Sequence, residues 1–396
     1  MPRAGNILAC ALAVAVSAGC AASLDGHPGV PEALVEKAKV HNIENVRFWG
    51  DSRPGVYDSY IRQRIALARK MAKSGGGAVR HQDILTISGG GSDGAFGAGL
   101  LAGWSEHGTR PQFHFVTGIS TGAMTAPMAF LGPKYDAKLK EAYTTASTED
   151  IATPQVLAAL VGASNSLAST KPLERQIEKF MTAEMLREIA EEHRKGRILM
   201  IGTTNLEAQR SVIWDIGALA ASGHPEALAL TRKIILASAA IPGAFPPVEI
   251  DVVADGKRYR EMHVDGGVTR QVFLYPPGVS PTQIDGAVGW KMQRRVYIIR
   301  NAKVTPEYQA IPDKILPIAT RSIATLIKTQ GIGDLYEIAT VAKRDNVDYN
   351  LAYIPTSFSV PSRSDFDPVY MRALYEEGLR LGREGFPWKK APPGFE

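Results

Sequence analysis

The stretch Gly118-Ile119-Ser120-Thr121-Gly122 decides the fold. Residues 113–117 precede it with an aromatic and β-branched pattern that predicts a buried strand, and the small apolar residues 123–131 predict a helix. A serine between two glycines at such a turn is typical of a nucleophile elbow, where the tight turn excludes bulk and exposes the hydroxyl. Because an ordinary glycine-rich turn can carry the same pattern, the neighbouring segments must decide.

A second glycine-rich turn, Gly89-Gly90-Gly91-Ser92-Asp93-Gly94, directly follows the strand pattern of residues 83–88. Residues 95–104 then predict a helix with one face of small residues. A glycine loop that opens a helix presents backbone N–H groups at the positive end of the helix dipole, which suits an anion. Dinucleotide sites and oxyanion holes both use such a loop, and a loop that serves only tight packing is the third possibility.

The next strand favours acyl transfer over dinucleotide binding. A dinucleotide site places an acidic residue at the end of that strand, about 20 residues on. Residues 112–116 contain no carboxylate, and the strand leads to Ser120 instead. The order of strand, anion-holding loop, helix, strand and nucleophile therefore indicates acyl chemistry.

A carboxylate follows a further strand. Residues 262–264 predict a strand end, and Asp265-Gly266-Gly267 comes next. An isolated Asp-Gly-Gly is most often a turn, but two glycines also leave the carboxylate accessible. The segment 240–248, rich in proline and apolar residues, is either the lining of an apolar cleft or a stiff connector.

His263 offers a different catalytic set. In α/β-hydrolases the order is serine, acid, histidine, and Ser120, Asp251 or Asp255, and His263 satisfy it. Those enzymes usually carry the histidine on a late loop, whereas this chain has no histidine after His263. We therefore favour Asp265 as the partner of Ser120 and keep the triad as the alternative.

Four segments, in this order, resemble the patatin-like phospholipase family: 89–94, 118–122, 240–248 and 265–267. The resemblance covers about residues 83–280. It implies an α/β protein with a three-layer α/β/α patatin-like fold and a mostly parallel central sheet. No cofactor is expected, and no His, Cys and Asp cluster has the spacing of zinc ligands.

The resemblance also implies a Ser–Asp dyad, with Ser120 as nucleophile and Asp265 as general base. The glycine loop would supply N–H groups to the oxyanion. The residues involved are, in the loop, Gly89, Gly90, Gly91, Ser92, Asp93 and Gly94, in the elbow Gly118 and Gly122, and after the aspartate Gly266 and Gly267.

Asp93 departs from the family pattern, which usually has Lys or Arg just before the last glycine of the loop. A carboxylate that faced the site would oppose the developing oxyanion. One that accepted from free N–H groups of the first helical turn would be well placed. We expect the second arrangement.

Residues 1–19 predict a signal peptide of the lipoprotein type. The apolar run 7–16 is too short to span a bilayer, and Ser17-Ala18-Gly19 precedes Cys20. Lipoprotein sites usually have Leu where this chain has Ser17, so cleavage near residues 22–23 and free secretion is the alternative. Because Cys10 and Cys20 are the only cysteines, we expect Cys20 to carry a lipid rather than a disulfide.

We divide the rest of the chain into an N-terminal extension (20–82), a catalytic core (83–280) and a C-terminal part that completes the same α/β domain (281–396). The apolar spacing predicts one helix over residues 172–192. It predicts another over 313–344, interrupted by Gly331 and Gly333.

Composition agrees with a globular protein that has a sizeable core, with 45% hydrophobic and 21% charged residues. The net charge of +5 is scattered, which argues against nucleic acid as a partner. From the resemblance we expect a lipid acyl-ester hydrolase of the phospholipase A or lysophospholipase type, working through an acyl-enzyme. An acyltransferase on the same dyad and a weakly active lipid-binding lipoprotein are the alternatives.

We expect the protein in the bacterial cell envelope, anchored by Cys20 to the outer membrane or on the periplasmic face, with secretion as the alternative. Its partners would be the membrane that holds the anchor and the membrane lipid that is its substrate. The sequence leaves its protein partners unknown.

Overall fold

A computed structural model describes residues 28–41, 43–51, 57–73, 81–151, 153–154, 168–290 and 292–395. The predicted signal peptide and Cys20 lie outside these residues. Within the described part of the chain, no helix is both long enough and apolar enough to cross a bilayer.

Strands and helices alternate along most of the chain, as the changing apolar period predicts. The strands are β1 (Arg47–Trp49), β2 (His81–Ile87), β3 (Phe115–Ile119), β4 (Thr153–Pro154), β5 (Ala168–Ser169), β6 (Ile198–Asn205), β7 (Arg210–Asp215), β8 (Val248–Ala254), β9 (Lys257–Asp265), β10 (Gln293–Arg300) and β11 (Val347–Tyr353). The helices are α1 (Asp58–Lys73), α2 (Gly94–His107), α3 (Thr121–Leu131), α4 (Asp136–Thr144), α5 (Thr148–Ile151), α6 (Lys171–Phe180), α7 (Ala183–Arg194), α8 (Ile216–Ala221), α9 (Ala227–Ser238), α10 (Pro281–Val288), α11 (Ile315–Arg344) and α12 (Pro368–Arg383).

The central sheet has the strand order β1-β7-β6-β3-β2-β10-β11. Strands β6, β3, β2, β10 and β11 are parallel to one another, whereas β7 is antiparallel to β6 and β1 to β7. The end of β9 pairs antiparallel with β6, and β9 also pairs with β8. Because parallel strands share one carboxyl edge, the turns after β2 and β3 are neighbours there.

Helices cover both faces of this sheet because side chains alternate along each strand. In β2, Ile84 belongs to one apolar core and Leu85 to the other, and Phe115 and Val116 of β3 divide in the same way. Helix α11 packs in the core of Ile84, and helices α2, α3, α9 and α12 pack in the core of Leu85. The predicted three-layer α/β/α fold with a mostly parallel sheet is confirmed.

The small-residue face of α2 allows α12 to approach closely. A Cβ at Gly99 would overlap the carbonyl oxygen of Tyr375, and a Cβ at Gly103 would overlap that of Leu379. Glycine is therefore required at both positions by the neighbouring backbone. This contact fixes the helix that begins directly after the glycine loop.

Two of the expected helices differ from the structure. Residues 172–192 form two helices, α6 and α7, because Thr182 caps α7 and accepts a hydrogen bond from the Met185 amide at 3.2 Å. Helix α11 runs without interruption through Gly331 and Gly333. Gly331 is buried against the guanidinium of Arg300, so a packing contact explains this glycine.

Candidate active site

Ser120 lies directly after β3, in a backbone conformation that residues other than glycine rarely adopt. Its φ is 55° and its ψ is −124°. A Cβ at Gly118 would overlap the Gly122 carbonyl, and a Cβ at Gly122 would overlap the Ile87 carbonyl. The elbow therefore requires both glycines for steric reasons. It places Ser120 directly before the first residue of helix α3.

Asp265 is the last residue of β9, and it reaches the site because β9 pairs with β6 and aligns Asp265 with Thr203. Its carboxyl lies close enough to the Ser120 hydroxyl for that hydroxyl to lower the pKa of Asp265. The Gly267 amide donates a hydrogen bond to Asp265 Oδ1 at 2.7 Å. Both Ser120 and Asp265 are buried, so the structure brings the two predicted residues together in a site largely closed to water.

The environment of Asp265 changes its acidity. Burial raises the pKa of Asp265 to about 6, while the nearby Ser120 hydroxyl and the Gly267 amide lower it. A carboxylate whose pKa approaches neutrality is a stronger base than a solvated one and is still ionised at pH 7. Asp265 is thus suited to accept the proton of Ser120.

The glycine loop lies beside the serine. A Cβ at Gly89 would be only 3.2 Å from Ser120 Cβ. Within the loop, the Asp93 amide donates to the Gly90 carbonyl at 3.0 Å, and the Gly94 amide donates to the carbonyls of Gly91 and Ser92.

Two amides of the loop remain available to a ligand. Among the described residues, no acceptor bonds the amides of Gly90 and Gly91, and Gly91 lines the same cleft as Ser120. These N–H groups can therefore donate to an oxyanion.

Asn301 supports the loop from the next strand. Its amide donates to Ser88 Oγ at 2.8 Å, and its Nδ2 donates to the Ser88 carbonyl at 3.0 Å. Its Oδ1 accepts from the Gly97 amide at 3.1 Å. The sequence analysis missed Asn301, although its place immediately after β10, at the same carboxyl edge, is a usable signal.

Gln271 connects the glycine loop with the turn after Asp265. Its carbonyl accepts from the Gly89 amide at 3.0 Å, and its Nε2 donates to the Gly267 carbonyl at 2.9 Å. Its own amide donates to Asp334 Oδ2 at 2.6 Å. Gln271 was also missed, because no local pattern shows that it bridges two turns.

Asp93 does not cap helix α2, so that expectation is wrong. No hydrogen bond joins its side chain to the first turn, and Asp93 Oδ1 instead accepts from the Tyr370 hydroxyl at 2.6 Å. Burial raises the pKa of Asp93 to about 6, and the bond from Tyr370 lowers it. The partner comes from α12, which the sequence around the loop could not reveal.

The residues of the rival triad are not assembled. His263 is fully buried, with Nδ1 at 2.9 Å from Thr203 Oγ1 and Nε2 at 3.1 Å from Glu261 Oε2. Asp251 is exposed on β8, and Asp255 pairs with Lys37 at 3.1 Å. Both ring nitrogens of His263 are thus engaged away from Ser120.

An apolar cleft opens at Ser120. The segment 240–248 contributes Ile241 and Phe245, which supports the cleft-lining interpretation over the connector. The other lining residues are Gly91, Thr121, Met124, Ala142, Tyr143, Ala146, Ile151, Leu173, Ala239, Phe366 and Met371. An acyl chain is the kind of ligand that this lining fits.

A larger apolar cavity lies at the other edge of the sheet. Its lining includes Gln82, Phe115, Ile198 and Arg294, which stand at or next to the first residues of β2, β3, β6 and β10. These are the amino ends of the parallel strands. This cavity is therefore separate from the cleft at Ser120.

The described residues contain one group with metal-ligand chemistry. Ligand atoms of His41, His224 and Glu226 lie within 4.8 Å of one another. His41 is far in sequence from His224 and Glu226, so spacing alone could not indicate the group. None of them lines the Ser120 cleft, and the chemistry proposed below does not use them.

Comparisons with known proteins agree with this geometry. No curated protein matches the chain. Among solved structures, the chain is similar to the crystal structure of VipD from Legionella pneumophila, with 12% sequence identity and a TM-score of 0.32. The similarity covers 94% of this chain and 73% of the VipD chain. Residues 85–276 match the family model described as Patatin-like phospholipase, which spans the glycine loop, the elbow and the Asp-Gly-Gly turn. Over these residues the chain is similar to patatin-like phospholipases, a likeness that points to a lipid acyl hydrolase.

Proposed function

We propose that this protein hydrolyses acyl esters of membrane phospholipids or lysophospholipids through a Ser120–Asp265 dyad. One observation carries the proposal: the Ser120 hydroxyl lies beside the buried carboxyl of Asp265, whose pKa is raised by burial to about 6. A serine hydroxyl is a weak nucleophile unless a base takes its proton during attack. Asp265 is the base that lies within reach.

In the first half-reaction, Ser120 Oγ forms a bond to the ester carbonyl carbon while Asp265 accepts the hydroxyl proton. The carbonyl oxygen becomes an oxyanion, which accepts hydrogen bonds from the amides of Gly90 and Gly91. The ester C–O bond then breaks, and Asp265 returns the proton to the leaving alcohol. An acyl-serine remains.

In the second half-reaction, water attacks the acyl carbon and Asp265 takes one of its protons. The bond to Ser120 Oγ breaks, Asp265 returns the proton to Ser120, and a fatty acid leaves. An alcohol in place of water would give acyl transfer on the same dyad. The apolar lining of the cleft supports a lipid acyl chain as the part of the substrate that is bound.

The decisive experiment measures fatty acid release from phospholipid vesicles, p-nitrophenyl butyrate hydrolysis and serine labelling by a fluorophosphonate. We expect Ser120→Ala to abolish all three and Asp265→Asn to lower both hydrolysis rates by about 10³-fold. Asp251→Asn, which removes an exposed carboxylate of the rival triad, is the matched control and should behave like the unmodified protein.

Other outcomes identify the alternatives. Loss of activity in a folded His263→Gln variant, with Asp265→Asn active, would restore the triad. Labelling without fatty acid release, together with acyl transfer to an added alcohol, would indicate a transferase. No labelling and no activity would indicate a lipid-binding lipoprotein, which the Asp93 carboxylate in the glycine loop would explain.

We also propose that Cys20 is lipidated and holds the enzyme in the bacterial cell envelope, at the outer membrane or on the periplasmic face. The support is the sequence: an apolar run, small residues and then the only cysteine outside that run. Mass spectrometry of the mature N-terminus should find a diacylglyceryl cysteine. Cys20→Ser should move the protein from the membrane to the soluble fraction, and an unlipidated mature protein in the medium would show secretion instead.

A further inference from the structure

Helix α11 is longer than the sheet on which it packs. Its 30 residues span about 45 Å, whereas the eight residues of β10 span about 26 Å. The apolar core holds Leu335, Ile338 and Ala342, from the second half of the helix. Among residues 315–330, no side chain that the structure describes is buried.

The topology shows where the unpacked half lies. The chain leaves β10 at the carboxyl edge of the sheet and returns through α11 to begin the parallel strand β11 at the amino edge. The first residues of α11 are therefore on the side of Ser120, and the helix extends past the catalytic edge.

This projecting half exposes large apolar side chains. Ile315 is 90% exposed, Leu326 70%, Ile323 53% and Ile318 46%. We name these four residues the α11 face. Exposed apolar residues gathered on one helix indicate a contact surface, whereas single exposed ones are ordinary.

The first half of helix α11 itself carries charges of one sign. From residue 314 to residue 333 the sequence contains Lys314, Arg321 and Lys328 and no acidic residue. Lys328 pairs with Glu307 at 2.9 Å, and Arg321 donates to the Gln309 side chain at 3.3 Å and to the Glu307 carbonyl. An apolar helix face flanked by cations matches an anionic lipid surface.

The segment that carries these contacts lies next to the glycine loop. Lys303 and Glu307 both act on the carboxyl of Asp93 through their charges, and Tyr370 holds the same carboxyl by a hydrogen bond. Residues 303–307 thus contact helix α11 through Glu307 and lie close enough to the glycine loop for their charges to act on Asp93.

We propose that the α11 face docks on a bilayer that contains anionic lipids, with the helix lying in the interface and the Ser120 cleft held against the membrane. The effect on catalysis rests on the proposed function, but docking itself does not. This contact is distinct from the anchor at Cys20, because it would orient the cleft rather than only retain the protein.

Vesicle flotation tests docking without turnover. The sample would be the chain from residue 20 onward with Cys20→Ser. It would be mixed with phosphatidylcholine vesicles that contain either no phosphatidylglycerol or ~30 mol% of it, a fraction within the range of anionic bilayers. We expect binding to the anionic vesicles, and Ile323→Glu/Leu326→Glu should lower the partition coefficient at least about tenfold. Val369→Glu, at a similarly exposed valine on α12, is the matched control and should bind like the parent.

Kinetics separate docking from chemistry. The double variant should lose about tenfold in hydrolysis of the anionic vesicles and keep its rate on soluble p-nitrophenyl butyrate. An inactive parent that still floats would reject the proposed function and retain the docking surface. Equal flotation of parent and double variant would overturn the docking surface. So would a parent that does not bind vesicles but forms a dimer that the double variant abolishes.

Discussion

Ser238 holds the backbone of Ser120 in place. Ser238 Oγ accepts a hydrogen bond from the Ser120 amide at 2.9 Å and donates one to the Gly202 carbonyl at 2.6 Å. Ser238 is the last residue of α9 and is fully buried. The strained elbow is thus tied to the neighbouring strand β6 by one hydroxyl.

Removing this hydroxyl should affect both stability and rate. Ser238→Ala leaves the Ser120 amide buried without a partner, which should cost about 1–3 kcal/mol in the free energy of unfolding. We expect kcat on p-nitrophenyl butyrate to fall about tenfold with little change in KM, because a shift of the nucleophile affects the reaction more than binding. Denaturant unfolding and steady-state kinetics measure the two effects.

Ser222→Ala is the matched control for this variant, because Ser222 also lies at a helix end and hydrogen-bonds a carbonyl, that of Leu219, but is not buried. It should change kcat by less than about twofold. An unchanged kcat in Ser238→Ala with lowered stability would assign Ser238 a purely structural role.

The pH dependence of the rate should follow Asp265. Catalysis requires the ionised carboxylate, and burial raises the pKa of Asp265 to about 6. We therefore expect kcat/KM for a neutral ester to rise with pH through about 6 and to level off above about 7. A profile that is flat from pH 5 to 8 would contradict Asp265 as the general base.

The same ionisation should destabilise the fold. The folded pKa of Asp265 is raised above its ordinary value of 3.8, so the folded state binds this proton more tightly than the unfolded state does. The resulting stabilisation is complete below pH about 4 and is lost as pH rises through about 6. Asp265→Asn should thus be more stable than the parent by about 2–3 kcal/mol at pH 8, with no difference near pH 4.

Unfolding by urea at several pH values measures this difference. Asp251→Asn controls for the loss of an exposed carboxylate. A constant difference between Asp265→Asn and the parent across pH 4–8 would mean that the carboxyl of Asp265 does not titrate in this range.

Asp93 should slow the reaction when it ionises, because its negative charge lies in the loop that receives the oxyanion. Burial raises the pKa of Asp93 to about 6. The ratio of the Asp93→Asn rate to the parent rate should therefore increase from pH 5 to 7.5, by about threefold to tenfold. Taking this ratio cancels the pH dependence that both proteins share through Asp265. Tyr370→Phe tests whether loss of the hydrogen bond to Asp93 alone produces the same increase in rate.

Local sequence patterns predict much of this site. The glycines around Ser120 and the strand before it indicate the elbow without any tertiary information, because steric exclusion at a tight turn acts within five residues. The parallel order of β2 and β3 then follows from the intervening helix, and it places loop and elbow on one edge. The sequence could therefore predict the fold class and the neighbouring turns.

What the sequence could not predict depends on distant segments. Tyr370 reaches Asp93 across most of the chain, so the capping rule for Asp93 gave the wrong partner. Gln271 and Ser238 act through hydrogen bonds to main-chain groups, which many polar residues can form. Gly331 resembles a helix breaker in the sequence, but it lies inside the helix and leaves room for the Arg300 guanidinium. This contact depends on tertiary packing, so the sequence could not predict it.

The glycines of two helices should respond in opposite ways to alanine. Gly99→Ala places a methyl group against the Tyr375 carbonyl between α2 and α12 and should destabilise the fold by about 1–3 kcal/mol or more. Gly333→Ala, in α11, meets no atom within 4 Å and should stabilise it by about 0.5–1 kcal/mol, because alanine loses less backbone entropy in a helix. Urea unfolding of both variants tests the pair, and a Gly99→Ala protein as stable as the parent would show that the two helices can separate without cost.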